Sequence, residues 1–516
     1  MKPSNELFDL IKSLTKSEKR FFKLQSSLQS GDKNYIRLFD LIDKMDEYDE
    51  ELVKKTFKGE KFIKHLPSEK NHLYKLILKA LRSYYGETSV SSTLKQEIKN
   101  IEILYNKALF DECSKFLERA KKLALKYEKF YYLFELIYWE KTLLEESFEN
   151  GRFIDLDKLI EEEKDVLEKL RNLAAYHVLY SKINYVFRSG GYSRTDENRM
   201  IIEEIVNDPL IKGKNTALSK RAATICYYTQ GFCNLANGDT QTALEKFMRV
   251  KTILDDSTSL RSDLSKRYIR TLSNIIVCLT DLHRFDEARE IISLMKALTG
   301  EEGFDSPDIQ TSIFKDTGLS QLSLYHFTGQ FSQGIAETEE ITKSLTEYEG
   351  KLHKEHELAF FYQFAYMYFG AGNYSKALSW LNKVLNDNEN DLRQDLYSYA
   401  RLFNLVIHYE LGNHDLLEYT IKSTVRYLQK RMRDFPIEKL ILEQFKKLIR
   451  TQSQTERRNI LIQFKEQFER LIKGPEDEVI VKYFDFPSWL ESKINGEKFE
   501  IIVQKSIAAK AKAKAS

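Results

Sequence analysis

One helical hairpin occurs twice in this sequence, and that repeat limits the fold more than any other feature. Residues 227–250 read Tyr-Tyr-Thr-Gln-Gly-Phe-Cys-Asn-Leu-Ala-Asn-Gly-Asp-Thr-Gln-Thr-Ala-Leu-Glu-Lys-Phe-Met-Arg-Val. Residues 361–384 keep the spacing: an apolar helix, a turn at Ala371-Gly372-Asn373, then Ala377-Leu378 opening a second helix. A single hairpin cannot bury its apolar face alone, so such units stack into one continuous core. Arrays of this kind build long binding surfaces.

Weaker copies surround the two good ones. Turn-to-helix anchors fall near Cys113, Asp157, Ile201, Ala243, Ala288, Gly334, Ala377 and Leu417, at spacings of about 40–46 residues. A loop at Ser189-Gly190-Gly191-Tyr192-Ser193-Arg194 precedes the helix at Ile201. Apolar residues recur at i, i+3, i+4 and i+7 throughout 94–430, which predicts helix after helix. Glycine (20) and proline (7) are too scarce for the turns of an all-β chain. The expected class is all-α, a right-handed superhelical array of helical hairpins.

Three segments are expected. Residues 1–85 form a basic helical module, 94–430 the repeats, and 436–516 capping helices with a flexible Lys/Ala tail. In the first, Thr15-Lys16-Ser17-Glu18 is a capping box. Asp49 heads a helix closed by Gly59, and Pro67 opens another. Gly86–Thr93 reads as a linker. After Asp434-Phe435-Pro436 the pattern gives helices at about 437–450 and 455–472, ended by Gly474-Pro475. The aromatic run Tyr483-Phe484-Asp485-Phe486-Pro487-Ser488-Trp489-Leu490 is expected to plug the open end of the array.

Charge and cysteine set further bounds. With 80 basic and 78 acidic residues the net charge is +2, so no global field draws nucleic acid or anionic membrane. Residues 1–85 nevertheless carry 18 Lys/Arg against 13 Asp/Glu. Cys113, Cys226, Cys233 and Cys278 lie in apolar periodic segments and read as buried thiols. No leader and no membrane-spanning run is legible, so a cytoplasmic protein with no membrane partner is expected.

The hairpins resemble the tetratricopeptide repeat family, whose unit of about 34 residues places small residues where its two helices approach. Gly231 and Ala243 fill those places in one unit, with Gly238 in the turn and Phe247 and Val250 as second-helix core. Ala365 and Ala377 fill them in the other, with Tyr368, Gly372, Leu381 and Val384. Phe285-Asp286-Glu287-Ala288 repeats the entry to the second helix. The spacing here is longer than the family's, the closing proline is missing, and Asn234 stands where an aromatic is usual.

The resemblance implies a concave face lined by the first helix of each hairpin. Carried across, its groove positions are Tyr228, Phe232 and Leu235 in one unit and Tyr362, Tyr366 and Phe369 in another. Arg270, His326, Tyr399 and Tyr409 come from adjacent units. Such a groove suits a peptide or an amphipathic helix. The same rings also fit ordinary helix–helix core, because one residue of helix phase exchanges the two faces. The Lys/Asn pair that grips a C-terminal carboxylate in some members is absent from these positions.

No catalytic constellation or phosphate-binding glycine loop is legible, so neither an enzyme nor a cofactor is expected. His353 and His356, with Glu355 and Glu357, lack a third metal ligand and read as a charged helix start. His408 and His414 bracket a turn and are expected at the surface. The expected function is a scaffold or adaptor that binds a protein or peptide. The rival is a transcriptional regulator with a DNA-binding N-terminal module and a repeat domain that senses a peptide or protein ligand. There Lys70, Asn71, His72 and Lys75 would face phosphates or base edges. Leu73, Leu76, Ile77, Ala80 and Leu81 give that helix an ordinary buried face as well.

Overall fold

Side-chain caps start several of the helices, among them those that follow Asp49, Ser89, Ser219, Asp239 and Asn373. The computed structural model describes residues 5–27, 34–86, 89–146, 153–190, 196–348, 350–387, 394–431, 435–472 and 475–515. All regular structure among them is helical. The chain divides into two units, Met1–Leu167 and Glu168–Ser516.

The first unit opens with α1 (Glu6–Ser13), α2 (Lys16–Ser27), α3 (Asn34–Lys44), α4 (Glu50–Thr56) and α5 (Leu66–Tyr84). The capping box forms: Thr15 N–H donates to Glu18 Oε2 at 2.5 Å, and Glu18 N–H to Thr15 Oγ1 at 3.3 Å. Asp49 caps α4 by accepting from the Glu51 and Leu52 amides. Pro67 sits in the first turn of α5, where its missing N–H costs nothing. Leu7, Ile11, Phe22, Phe39, Ile42, Val53, Leu73 and Ile77 form the core of this bundle. Next come α6 (Val90–Asn106), α7 (Phe110–Lys126) and α8 (Phe130–Glu146). Part of the expected linker is thus helix: Ser89 Oγ accepts from Ser92 N–H and starts α6.

The boundary at Leu167 falls inside α9 (Phe153–Gly190), which fuses the helix expected at Asp157 with the one that precedes the loop. Ser189 and Gly190 of that expected loop end α9, and its residues 191–194, with Asp434 and Gly474, lie outside the described residues.

The second unit continues with α10 (Asp196–Asn207), α11 (Pro209–Lys212), α12 (Lys220–Ala236), α13 (Thr240–Asp255), α14 (Thr258–Asp263), α15 (Ser265–Asp281) and α16 (Phe285–Ala297). It goes on with α17 (Pro307–Thr328), α18 (Phe331–Leu345), α19 (Lys354–Gly370), α20 (Tyr374–Leu385), α21 (Gln394–Glu410) and α22 (His414–Lys430). It ends with α23 (Pro436–Arg450), α24 (Gln454–Leu471), α25 (Pro475–Tyr483), α26 (Phe486–Asn495) and α27 (Phe499–Ala515). The last of these runs through the Lys/Ala tail, whose residues are good helix formers.

One turn joins the paired helices. Gly238 (φ +79°) and Gly372 (φ +81°) take the left-handed conformation that glycine adopts without strain. The next amide bonds back to the first helix, Asp239 to Asn234 O at 2.9 Å and Asn373 to Tyr368 O at 2.8 Å. Asp239 and Asn373 then cap the second helix through their side chains. His283 (φ +60°) occupies the same place between α15 and α16. A sharp, repeated turn sets each second helix antiparallel to the first.

The close approach within a hairpin depends on paired sizes. A Cβ added at Gly231 would lie 2.7 Å from two ring atoms of Phe247. In the other good unit Ala365 replaces the glycine, and the smaller Leu381 replaces the phenylalanine. All four cysteines are buried and unbridged.

This pairing predicts a reversal of sign. Gly231→Ala is expected to destabilise by about 1 kcal/mol, because overpacking outweighs alanine's helix preference. In a Phe247→Leu background the same change is expected to stabilise. Urea unfolding of the two single variants and the double variant measures the coupling. Equal effects of Gly231→Ala in both backgrounds would show that the ring does not set the limit.

Candidate functional site

Six of the ten groove positions meet the chain's own C-terminal segment or the rings beneath it. Tyr362, Tyr366, Phe369, Tyr399 and His326 are buried, and Tyr409 is half-buried. Tyr362 Oη donates to Tyr483 O at 3.0 Å, and Asp485 N–H donates to Tyr366 Oη at 3.3 Å. Tyr399 stacks on Tyr483 with centroids 4.1 Å apart and planes 21° apart. Phe484 lies among Tyr366, Phe369, Phe403 and Phe499. Tyr409 meets Trp489 edge-on at 5.8 Å.

Polar bonds hold the same segment. Trp489 Nε1–H donates to Glu410 Oε1 at 2.6 Å, and Lys493 pairs with Oε2 at 2.7 Å. Tyr483 Oη donates to Asp395. Lys482 pairs with Asp281 at 2.6 Å, across 201 residues of sequence. Gln504 Nε2 donates to Gly329 O at 2.9 Å. Helix α26 packs against α24. The contacts also reach back along α21, α19 and α17 to the end of α15, well beyond a plug at one end.

His326 lies under this segment. Its ring stacks on Tyr366 at 3.7 Å and on Phe327 at 4.7 Å. Burial pushes its pKa down to about 3. His408, expected at the surface, is buried instead, with Nδ1 3.3 Å from Asn413 Nδ2. It lies on α21, whose Ser398–Val406 stretch is buried on almost every side. His414 is exposed.

The upstream positions differ. Tyr228 is buried against Phe232, Phe247 and Tyr180, and Asn274 Nδ2 donates to its hydroxyl oxygen at 2.9 Å. Phe232 and Leu235 are half-buried, and Arg270 is exposed. Arg267, Arg270, Asn274, Val277 and Asp281 form one stripe along α15, at the spacing that stacks side chains on a helix face. Val277 is 46% exposed. This stripe leads directly away from the point where Lys482 docks.

The sequence reading missed Arg267 and Arg221. A signal was available, because Arg267 stands three residues before Arg270 on the same helix. Arg221 opens α12 as Lys266 and Arg267 open α15.

In the N-terminal module Lys70 is engaged internally. Its ammonium lies 3.3 Å from Glu50 Oε2 and 4.6 Å over the Tyr48 ring. Asn71, His72 and Lys75 are exposed on α5, and His72 meets Tyr35 edge-on at 6.3 Å. His353 and His356 have ring centroids 6.2 Å apart. Among the described residues no group of three or more His, Cys, Asp or Glu side chains is placed to hold a metal. Among them, no helix is long and apolar enough to cross a membrane.

Burial of neutral His326 makes stability pH-dependent. The unfolded chain takes up this proton near 6.5, whereas the folded chain resists it down to about 3. Its contribution is therefore complete above 6.5 and is lost as pH falls through that window. Between neutral pH and about pH 5 the loss is on the order of 2 kcal/mol. Denaturant midpoints at both pH values are expected to move less in His326→Phe than in the wild type. An identical drop would mean that His326 is not the titrating group.

No protein-family model matches this sequence, and no curated protein matches it.

Proposed function

We propose that this chain is a protein- or peptide-binding scaffold or adaptor, built as a tetratricopeptide-like solenoid. It works through the face formed by the first helix of each hairpin, the concave face of such an array. One observation carries the reading. Helices α17, α19 and α21 hold a segment of the chain itself, with stacked rings and side-chain bonds to its backbone. Those are the means by which a groove holds a peptide. The rest of the face, along α12 and α15, keeps Phe232, Leu235, Arg270 and Val277 accessible. That part is left for another molecule.

A second reading draws on one observation, the exposed row Asn71, His72 and Lys75 on α5. A helix of this kind suits a nucleic-acid backbone. In that reading the chain is a regulator, and the repeat face senses its ligand. Lys70 contributes little there, since Glu50 and Tyr48 already hold it.

Affinity capture with the full chain separates the two. A protein partner that survives nuclease is expected to bind Val277→Asp about tenfold more weakly and Lys75→Glu as well as the wild type. Its affinity is expected to change little with salt, because apolar contact dominates. Recovery mainly of nucleic acid, lost in Lys75→Glu and falling steeply with salt, would overturn the scaffold reading.

A further inference from the structure

Arg267 is a half-buried cation that no acid among the described residues answers. It leaves the first turn of α15 and is enclosed by α12 and the last part of α9. Its Nη1 donates to Thr224 Oγ1 at 2.8 Å, a neutral acceptor. Thr224 passes its own proton to Arg221 O at 2.7 Å. Among the described residues no carboxylate stands within ion-pair distance of Arg267. Its side chain is nonetheless partly open to solvent. Burial, and after it the neighbouring Arg221, pull its pKa down to about 10. That is the direction expected of a cation without a counter-charge.

The charges around it can be counted. Arg221, Arg267, Arg270 and Lys315 gather here with Asp263 and Asp316. Asp263 lies 2.6 Å from Arg221, and Asp316 lies 3.1 Å from Lys315. Asp316 also faces Arg270, but burial raises its pKa and weakens its hold as an anion. These four cations outnumber these two carboxylates by two, and the two guanidinium groups without an ion pair among the described residues are Arg267 and Arg270. His177 stands at the exposed edge. Burial lowers its pKa, and Arg267 and Arg221 add to that shift, so it brings no charge of its own at neutral pH.

Hydroxyl geometry favours an anion too. Asn274 donates to the Tyr228 oxygen at 2.9 Å, which leaves the Tyr228 proton to be given elsewhere. A guanidinium has five N–H donors in a planar fork, and Arg267 spends one on Thr224. Such forks suit the oxygens of phosphate better than any neutral group. A carboxylate carries one negative charge and would leave half of the excess uncompensated. A phosphate group with two charges matches it.

We propose that Arg267 and Arg270, with the Tyr228 hydroxyl, form a binding site for a doubly charged phosphate group. The site takes free phosphate or the phosphate of a monoester. It stands whether or not the neighbouring face binds a protein. Arg221, held by Asp263, positions the site and keeps its field positive.

Calorimetric titration of the full chain tests this at mildly alkaline pH and constant ionic strength. The probes are inorganic phosphate, phenyl phosphate, sulfate and acetate. Both phosphates and sulfate are expected to bind, and acetate to give no heat above dilution. Phenyl phosphate binding as tightly as inorganic phosphate assigns the site to esters. Weaker binding assigns it to the free ion, and either ranking supports the site. Arg270→Gln, which alters an exposed side chain, is expected to weaken phosphate about tenfold or more. Arg267→Met is expected to abolish binding and to melt no lower than the wild type, since it removes an uncompensated charge. Phosphate heats equal to those of acetate would overturn the proposal. So would full affinity in Arg270→Gln, even if Arg267→Met failed to fold.

Discussion

The downstream half of the repeat unit closes on the ring of Phe484. It is buried, stacks on Phe403 at 4.9 Å and reaches Phe499 at 6.0 Å with planes 10° apart. Phe369 and Tyr366 complete its surroundings. Each aromatic pair adds about 0.5–1.5 kcal/mol beyond the area it buries. The polar bonds of Tyr362, Tyr366 and Trp489 then fix register, since a shift of the segment would leave buried hydroxyls and Glu410 unsatisfied. Stacking supplies the attraction here, and the hydrogen bonds choose one position for it.

Much of the local structure was readable from residues alone. The capping box at Thr15, the Asp49 cap, Pro67 in the first turn and the glycine turns depend on neighbours a few positions away. The pairing of Gly231 with Phe247 is likewise a short-range matter of fit. The aromatic positions were legible as rings on the first helices. What covers them was not, because Tyr362 and Tyr483 are 121 residues apart and no local pattern links them. A hint was present in α19. From Leu358 to Gly370 it is apolar on nearly every side, and most of these residues are buried. A helix that is apolar all round must be covered on all sides. By contrast α13 has the single apolar stripe of a helix with one covered face.

The candidate site was harder to read. Arg270 stands out in the sequence only because the repeat register puts it on the groove side. Arg267 gains its meaning from Thr224, which lies 43 residues earlier, and from having no carboxylate beside it among the described residues. A missing partner leaves no trace in a sequence, since any acid within a few tens of residues looks available until the fold assigns it elsewhere. Asp263 is four residues from Arg267 in sequence, yet the structure gives it to Arg221.

The α15 stripe has an acidic end and a basic end, and the chain's own segment meets the acidic one. Lys482 docks at Asp281, the acid that closes the helix. A cation is also favoured at a helix C-terminus by the alignment of peptide dipoles. Farther back along the same stripe Arg270 and Arg267 would repel that lysine. Removing charge from water in a partly enclosed place is costly unless an opposite charge arrives. The folded protein leaves that cost standing at Arg267 while it answers nearby cations with Asp263 and Asp316. Unequal treatment of neighbouring arginines is difficult to account for by stability alone, because an apolar side chain would pack there without the penalty. A ligand that brings its own negative charge accounts for it directly, and it would bind the end of the face that the C-terminal segment does not cover.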